Sequence, residues 1–401
     1  MAFRSNSKAP QASSKYLLGL GAVFLMHGLI EASEEVLARI PREDPLYIDS
    51  VPFRIEIELG KGNYEEVIRL AELDLSTKEV PGWIARRIGI AYFQMGRLDE
   101  AKAYFQKEMG DFPSNSEVFD TLQPLLSSNP KRRLEGLFKA IRQGLLPPHF
   151  GLDCIAPLLC EGRAATCCFT DQVFSQSKPM DKNVSLKKRY LDFAYDLYKK
   201  FGVFSAFLPY VQIESGLCVS LRKIYFSLDR SIFDRVEKIG QASWADFERI
   251  KKGSPPLLEY LEIEGRSLGY PECCVEWALT NRRQNQPIEY LALKSLIEEE
   301  YSLFQSQVNP NLPLLAYFTF EFYPCSPFCS AAEGVGGKIL KQFKREGSEL
   351  SDLYHHFIFP FNKRRIFHSH MPYVQFVKDF NWGIFQALNS KGLKNNFKDS
   401  K

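Results

Sequence analysis

Two short stretches of the chain place thiols where chemistry can happen. "LGYPECCVEW" (268–277) sets Cys273 and Cys274 side by side after a Gly-Tyr-Pro turn, and "FYPCSPFCSA" (322–331) repeats the Tyr-Pro lead-in ahead of Cys325 and Cys329. Pro271 suits the first position of a helix, where its missing N–H costs nothing, which puts Cys273 and Cys274 in a first helical turn. In the second stretch Ser326 is the candidate N-cap and Pro327 the candidate first residue. Cys325 then lies just outside a helix and Cys329 in its first turn. All four thiols are expected at helix N-termini, where free amides and the helix dipole favour anions and lower thiol pKa values. A metal thiolate centre or an iron–sulfur cluster gains from that placement. A thiol that only fills a core has no reason to prefer it.

The spacing C-C-x50-C-x3-C is less specific than the paired C-x2-C knuckles of structural zinc. Neighbouring helical residues point about 100° apart, so the first pair is not expected to share one ion, and a cluster of several irons accommodates the spread better. An iron–sulfur cluster is therefore preferred to zinc as the cofactor. Two alternatives stay open: three thiolates around an ion with an open position, and thiols that bind no metal and are redox-active or simply buried. No residue is assigned a catalytic role.

The bulk numbers narrow the class. Lys plus Arg is 51 against 48 Asp plus Glu in 401 residues, a net charge of +3, which argues against a dedicated nucleic-acid binder. Nine cysteines are too dilute, and odd in number, for a disulfide scaffold, so reduced thiols and a cytoplasmic protein are expected. The apolar run 16–30 follows Arg4, Lys8 and Lys15 like a signal peptide, yet His27 interrupts it and no small-x-small cleavage site follows. It is also shorter than the ~20 apolar residues of a membrane span, so no membrane association is expected. No Ser–His–Asp arrangement, dinucleotide fingerprint, H-E-x-x-H or C-x3-C-x2-C pattern appears. "EGVGGKIL" (333–340) lacks the phosphate-loop frame and falls inside the helix expected from Pro327.

Other elements must position these thiols. "GWIARRIGIAYFQMGRLDEAKAYFQKEMGDFPSN" (82–115) reads as two amphipathic helices around Gly96, with Ala85, Ile88, Gly89 and Tyr92 on one face and Ala101, Tyr104 and Phe105 on the other helix. Gly89, Tyr92, Gly96, Ala101, Phe105 and Pro113 resemble a tetratricopeptide repeat. Steps of 34 residues lead from Gly96 to Gly62 and Gly28, from Gly89 to Gly21, and from Pro113 to Pro45. The apolar N-terminal run then becomes the first helix of a first repeat. Arg54 and Glu58 stand where Ile88 and Tyr92 do, which makes the middle unit degenerate. The resemblance implies an array over residues 14–120 that docks a partner protein or peptide, or else a helical cap packed on the rest of the chain. Residues 121–149 form a connecting helix ending at Gly144.

From about residue 150 to 390 the pattern mixes helices (186–202, "SIFDRVEKIG", and "PPLLEYLEIEGRSLG" with Pro255 and Pro256 at its start) with strands (203–213, 216–227 and 314–324). The fold class is α+β: an all-α array followed by a mixed, cysteine-rich domain. "GYPECC" followed by "YPCSPFCSAAEGVGGKI" resembles the domain of unknown function 483 family, over about residues 150–345. That resemblance implies that "LLCEGRAA" (158–165) is an earlier cysteine–glycine–basic element, with Cys160 and Arg163 as its matching residues and Glu161 where glycine is expected. It strengthens the site and names no reaction. Cys154, Cys167 and Cys168 have apolar neighbours and read as core. His355, His356, His368 and His370, with the Lys363–Arg365 cluster, read as a surface loop or hairpin, with metal ligation or acid–base work as the alternative. Two functions follow. One is a redox or Lewis-acid enzyme whose array recruits its substrate protein; the other is an interaction adaptor with structural zinc or purely structural cysteines.

Overall fold

The computed structural model describes residues 13–75, 82–110, 112–126, 134–147, 150–174, 184–214, 217–284 and 323–346, with single residues between 286 and 295. The histidine segment, the Lys363–Arg365 cluster and most of the strand expected over 314–324 lie outside the described residues; Tyr323 and Pro324 are irregular chain. The chain divides into two compact units, Met1–Gly110 with Gly216–Ser220, and Asp111–Ser215 with Leu221–Lys401. It is broadly α+β, mostly helical with a small sheet. Among the described residues no helix is long and apolar enough to cross a membrane.

The first unit is built of helical hairpins: α1 (Ser14–Met26) with α2 (Ile30–Ala38), α3 (Tyr47–Lys61) with α4 (Tyr64–Arg69, continued by a π turn over Leu70–Asp74), and α5 (Gly82–Gln94) with α6 (Leu98–Met109). Gly28, Gly62 and Gly96, 34 residues apart, all turn the chain at positive φ, 73°, 76° and 74°, a conformation glycine adopts without a Cβ penalty. The apolar run at the N-terminus is α1, whose Leu17 packs with Val36, Leu37, Ile40 and Ile57.

In the first and third hairpins a small residue faces a large one sixteen positions on. A Cβ on Gly21 would stand 2.5 Å from Leu37, and one on Gly89 2.6 Å from Phe105. The equivalent positions in the middle hairpin are Ile55 and Ala71, both buried: the volumes are exchanged between the two helices and their sum is kept, as a close-packed interior requires. The substitutions that make this hairpin irregular carry polar contacts. Arg54 donates to the Leu37 carbonyl at 2.5 Å and lies over the Tyr47 ring at 4.9 Å, and Glu58 accepts from Asn63 at 2.7 Å. Glu56 on α3 holds Arg87 on α5 at 2.5 Å.

In the second unit, α7 (Asn115–Leu122) and α8 (Leu134–Arg142) lead through a π turn (Gly151–Ile155) and α9 (Ala156–Leu159) into β1 (Ala165–Phe169). After α10 (Thr170–Phe174) and α11 (Leu186–Phe201), β2 (Phe204–Glu214) and β3 (Leu217–Ser227, whose first four residues are grouped with the first unit) complete a sheet of order β1-β3-β2, with β1 antiparallel to β3 and Cys167 opposite Tyr225. Consecutive residues 204–208 and 224–226 are buried, the mark of strands covered on both faces. α11 and α12 (Ile232–Lys251) both pack on β2.

Both sheet edges are closed by side chains. On β2, Ser243 accepts from Val211 N–H (3.2 Å) and donates to its carbonyl (2.8 Å), while Asn115 takes the Phe207 N–H (2.8 Å). On β1, the Cys154 thiol donates to the Cys167 carbonyl at 3.6 Å and Thr166 donates to the Cys154 carbonyl at 2.7 Å. Cys154, Cys167 and Cys168 lie in the core as expected.

Candidate metal centre

The first cysteine arm is set by the elements before it. α12 carries Asp246, 1% exposed, whose carboxylate accepts from the Leu257 and Leu258 amides at 2.7 Å each. These contacts fix the start of α13 (Glu259–Ser267) three residues after the double proline that sequence places at its start; Leu258, in left-handed conformation at φ 61°, is its N-cap. The prolines lie ahead of the helix because Leu258 turns left-handed between them and Glu259, with Asp246 holding the Leu257 and Leu258 amides in that turn. On α13, buried Glu264 accepts from Lys223 Nζ (2.8 Å) and the Tyr225 hydroxyl (2.5 Å), both on β3.

α13 then stops in a Schellman turn: Gly269 N–H donates to the Arg266 carbonyl and Tyr270 N–H to that of Gly265, each at 3.0 Å, with Gly269 at φ 72°. Guanidiniums cap two further carbonyls, Arg235 on Ser267 (3.2 Å) and Arg163 on Leu268 (3.1 Å). A Cβ on Gly265 would sit 2.9 Å from Val275, so glycine there lets α14 (Glu272–Arg283) lie close against α13. Pro271 is the N-cap of α14, one position earlier than expected from sequence, and Cys273 and Cys274 follow in the first turn.

The second arm departs further from expectation. α15 (Ser330–Glu346) begins three residues after Pro327, because Ser326 spends its hydroxyl on the Phe328 amide (3.1 Å) and its carbonyl on the Cys329 amide (3.1 Å) within a separate turn. Cys329 precedes the helix, its carbonyl accepting the Glu333 amide at 2.9 Å. It is the capping residue, outside the first turn.

The two arms bring four sulfurs within 4.8 Å of one another. Sγ separations are 3.9 Å for Cys273–Cys274, 3.7 Å for Cys273–Cys329 and 3.6 Å for Cys274–Cys329. The expectation that adjacent helical cysteines diverge too far to share an ion is not met. Side-chain torsions in an open first turn, with no preceding helical turn to clash with, bring the two sulfurs together despite the angle between their Cα–Cβ bonds. A tetrahedral ion with sulfur at about 2.3 Å separates its ligands by about 3.8 Å, and the donor set fits such an ion.

The thiols differ electrostatically. Burial pushes Cys274 up, and pushes Cys325 up to about 11. Burial also acts against the Cys329 thiolate, but the Ala332 amide and donation from the Cys274, Cys273 and Cys325 thiols outweigh it and bring Cys329 down. Without an ion, burial therefore favours the protonated forms of Cys274 and Cys325, while the donors around Cys329 favour its thiolate.

The element at 160–164 packs between the arms. Arg163, 6% exposed, lies over the Tyr270 ring at 4.6 Å, Ala164 touches Gly269, and a Cβ on Gly162 would stand 2.2 Å from Ile339 of α15. Cys160 is half-buried, partly packed against the core, and is not one of the four grouped sulfurs. Glu161, where the resemblance expects glycine, has φ 53°, so the backbone keeps the glycine conformation under a different side chain. Glu161→Gly is expected to stabilise the protein by about 1 kcal/mol by removing that strain. Urea unfolding reads it, and an unchanged or lowered midpoint would count against the strain.

Sequence reasoning missed Asp246, Glu264 and Arg235, which hold the first arm. No protein-family model, curated protein or solved structure matches the chain.

Proposed function

We propose that the second unit holds one tetrahedral divalent ion, zinc before iron, on Cys273, Cys274, Cys325 and Cys329, and that this ion pins the starts of α14 and α15 together. The observation that carries this reading is the sulfur spacing. In a cluster of several irons the terminal thiolates sit on different metal atoms, farther apart than two sulfurs on one ion. Here the three separations among Cys273, Cys274 and Cys329, 3.6–3.9 Å, match the edge of a single tetrahedron, and Cys325 Sγ lies within 4.8 Å of all three. With four thiolates the coordination is complete, and no position is left for a substrate. The adaptor reading thus goes ahead of the Lewis-acid or redox enzyme. The first unit would be its docking array of tetratricopeptide type for a partner protein or peptide. The left-handed glycines at a 34-residue step and the exchanged volumes of Ile55 and Ala71 support that assignment. The likeness to the domain of unknown function 483 family is supported by Glu161 keeping a glycine conformation.

Elemental analysis and native mass spectrometry of the full chain, purified without oxygen, test the ion. One zinc per chain without labile sulfide is expected; iron with stoichiometric sulfide would replace the reading with a cluster.

Ion binding must expel the protons that burial keeps on Cys274 and Cys325. Both pKa values are raised above neutrality, so at pH 6–8 the ion-free site is protonated and the bound site is not. Affinity therefore rises with pH, by at least about two log units per pH unit, since Cys274 and Cys325 each release a proton. Chelator competition at pH 6, 7 and 8 measures the slope, and a pH-independent affinity would contradict the proton assignment.

A further inference from the structure

The four sulfurs are not equivalent to solvent. Cys274 and Cys329 are 2% and 8% exposed and Cys325 is half-buried, whereas Cys273 is exposed. They also differ in donors. The Cys325 amide donates to Cys274 Sγ at 3.5 Å and the Ala332 amide to Cys329. Among the described residues the hydrogen-bond contacts of Cys273 Sγ are with the sulfurs of Cys274 and Cys329, and Cys325 Sγ lies within 4.8 Å.

Amide donors to sulfur draw off electron density, and a coordinating thiol is deprotonated outright. Four thiolates on a divalent ion leave the centre with an excess of two negative charges. That excess is quenched by amides at Cys274 and Cys329 and is accessible at Cys273. An uncoordinated cysteine at neutral pH is only a few per cent thiolate, so an ion-bound, exposed sulfur outcompetes ordinary surface thiols for carbon electrophiles.

We infer that Cys273 is an S-alkylation site, the reactive ligand of the centre, selective for soft carbon electrophiles. The inference rests on the four-thiolate reading above. A lone pair of Cys273 Sγ forms the new S–C bond as the carbon–leaving-group bond breaks, and the leaving group departs with that bond's electron pair. No proton moves, because the sulfur is already a thiolate. The product thioether is neutral, so the centre loses one negative charge and one strong ligand, leaving Cys274, Cys325 and Cys329 on the ion. Alkylation at this sulfur would therefore loosen the joint between α14 and α15.

The test treats the zinc-loaded full chain, without oxygen, with limiting iodoacetamide. It is then unfolded, the remaining thiols are capped with N-ethylmaleimide, and peptides are mapped by mass spectrometry. Zinc is measured on the same sample. Carbamidomethylation of Cys273 is expected to exceed that of Cys160 and Cys325, both half-buried, by about ten-fold. Even labelling, or label going first to Cys160 with zinc bound, overturns the inference and leaves the four-thiolate reading standing. If the chain takes up no ion, the four-thiolate reading fails and the inference falls with it, whichever cysteine labels first. Mapping by peptide makes the result independent of whether Cys273→Ser folds.

Discussion

Cys274→Ser is expected to cost the chain its ion and about 3 kcal/mol of the second unit's stability. Cys274 is the most enclosed of the four thiols, 2% exposed, 3.6 Å from Cys329 Sγ and 3.9 Å from Cys273 Sγ, and it accepts the Cys325 amide. It thus touches both arms. A serine hydroxyl keeps its proton at neutral pH and cannot supply the lost thiolate. Structural zinc contributes about 10–16 kcal/mol of binding free energy in small domains, so losing one of four ligands is expected to weaken binding by about a thousand-fold or more. For a unit of this size about 3 kcal/mol lowers the melting temperature by roughly 6–12 °C. Cys154→Ser is the control. It lies in the core with its thiol on the Cys167 carbonyl, so it costs stability without altering ion content. Chelator competition and thermal melting separate the two, and a Cys274→Ser protein that keeps one ion at undiminished affinity would remove Cys274 from the centre.

How much of this was legible in sequence depends on the range of the interaction. The turns at Gly28, Gly62 and Gly96 were legible because each is a local backbone demand repeated at one period. The middle hairpin looked degenerate only because Arg54 and Glu58 were compared one position at a time. Its packing is kept by an exchange between Ile55 and Ala71, sixteen residues apart, which no single position reveals. The cysteine pairs stood out by type and spacing, and their placement at helix starts followed from local capping rules. That they converge on one point did not follow, since it depends on α13 approaching α14 at Gly265 and on α15 meeting Gly162. Asp246 and Glu264 were illegible for the opposite reason. Each reads as an ordinary acidic residue of an amphipathic helix, and what buries it is supplied from elsewhere: the Leu257–Leu258 amides for one, Lys223 and Tyr225 on a strand for the other. The late start of α15 turns on which amide the Ser326 hydroxyl reaches, and both choices are compatible with the same residues.

Glu264→Ala is expected to be the most damaging substitution outside the cysteines, destabilising the second unit by about 3–5 kcal/mol. The side chains of Lys223 and Glu264 are 14% and 8% exposed, and Tyr225 is fully buried. Their attraction is little screened, but their desolvation is already spent. Removing the carboxylate takes a charged partner from an ammonium and a phenol hydroxyl that stay in the interior, and the penalty is the loss of that charge-assisted pairing. Lys223 also lies over the Phe169 ring at 5.5 Å, a contact too weak to hold the charge alone. The double variant Lys223→Met with Glu264→Leu is therefore expected to recover most of the loss, because no charge remains to be compensated. The consequence reaches the thiols, since Glu264 anchors α13 to the sheet just before the Gly265 contact that seats α14. Ion affinity in Glu264→Ala should fall although no ligand has changed, and should return in the double variant. Urea unfolding of both single variants and the double variant gives the coupling, and chelator competition on the same proteins gives the affinity. Should the double variant be as unstable as the sum of the singles, the interaction is not a compensated pair, and the first arm is held in place by packing alone.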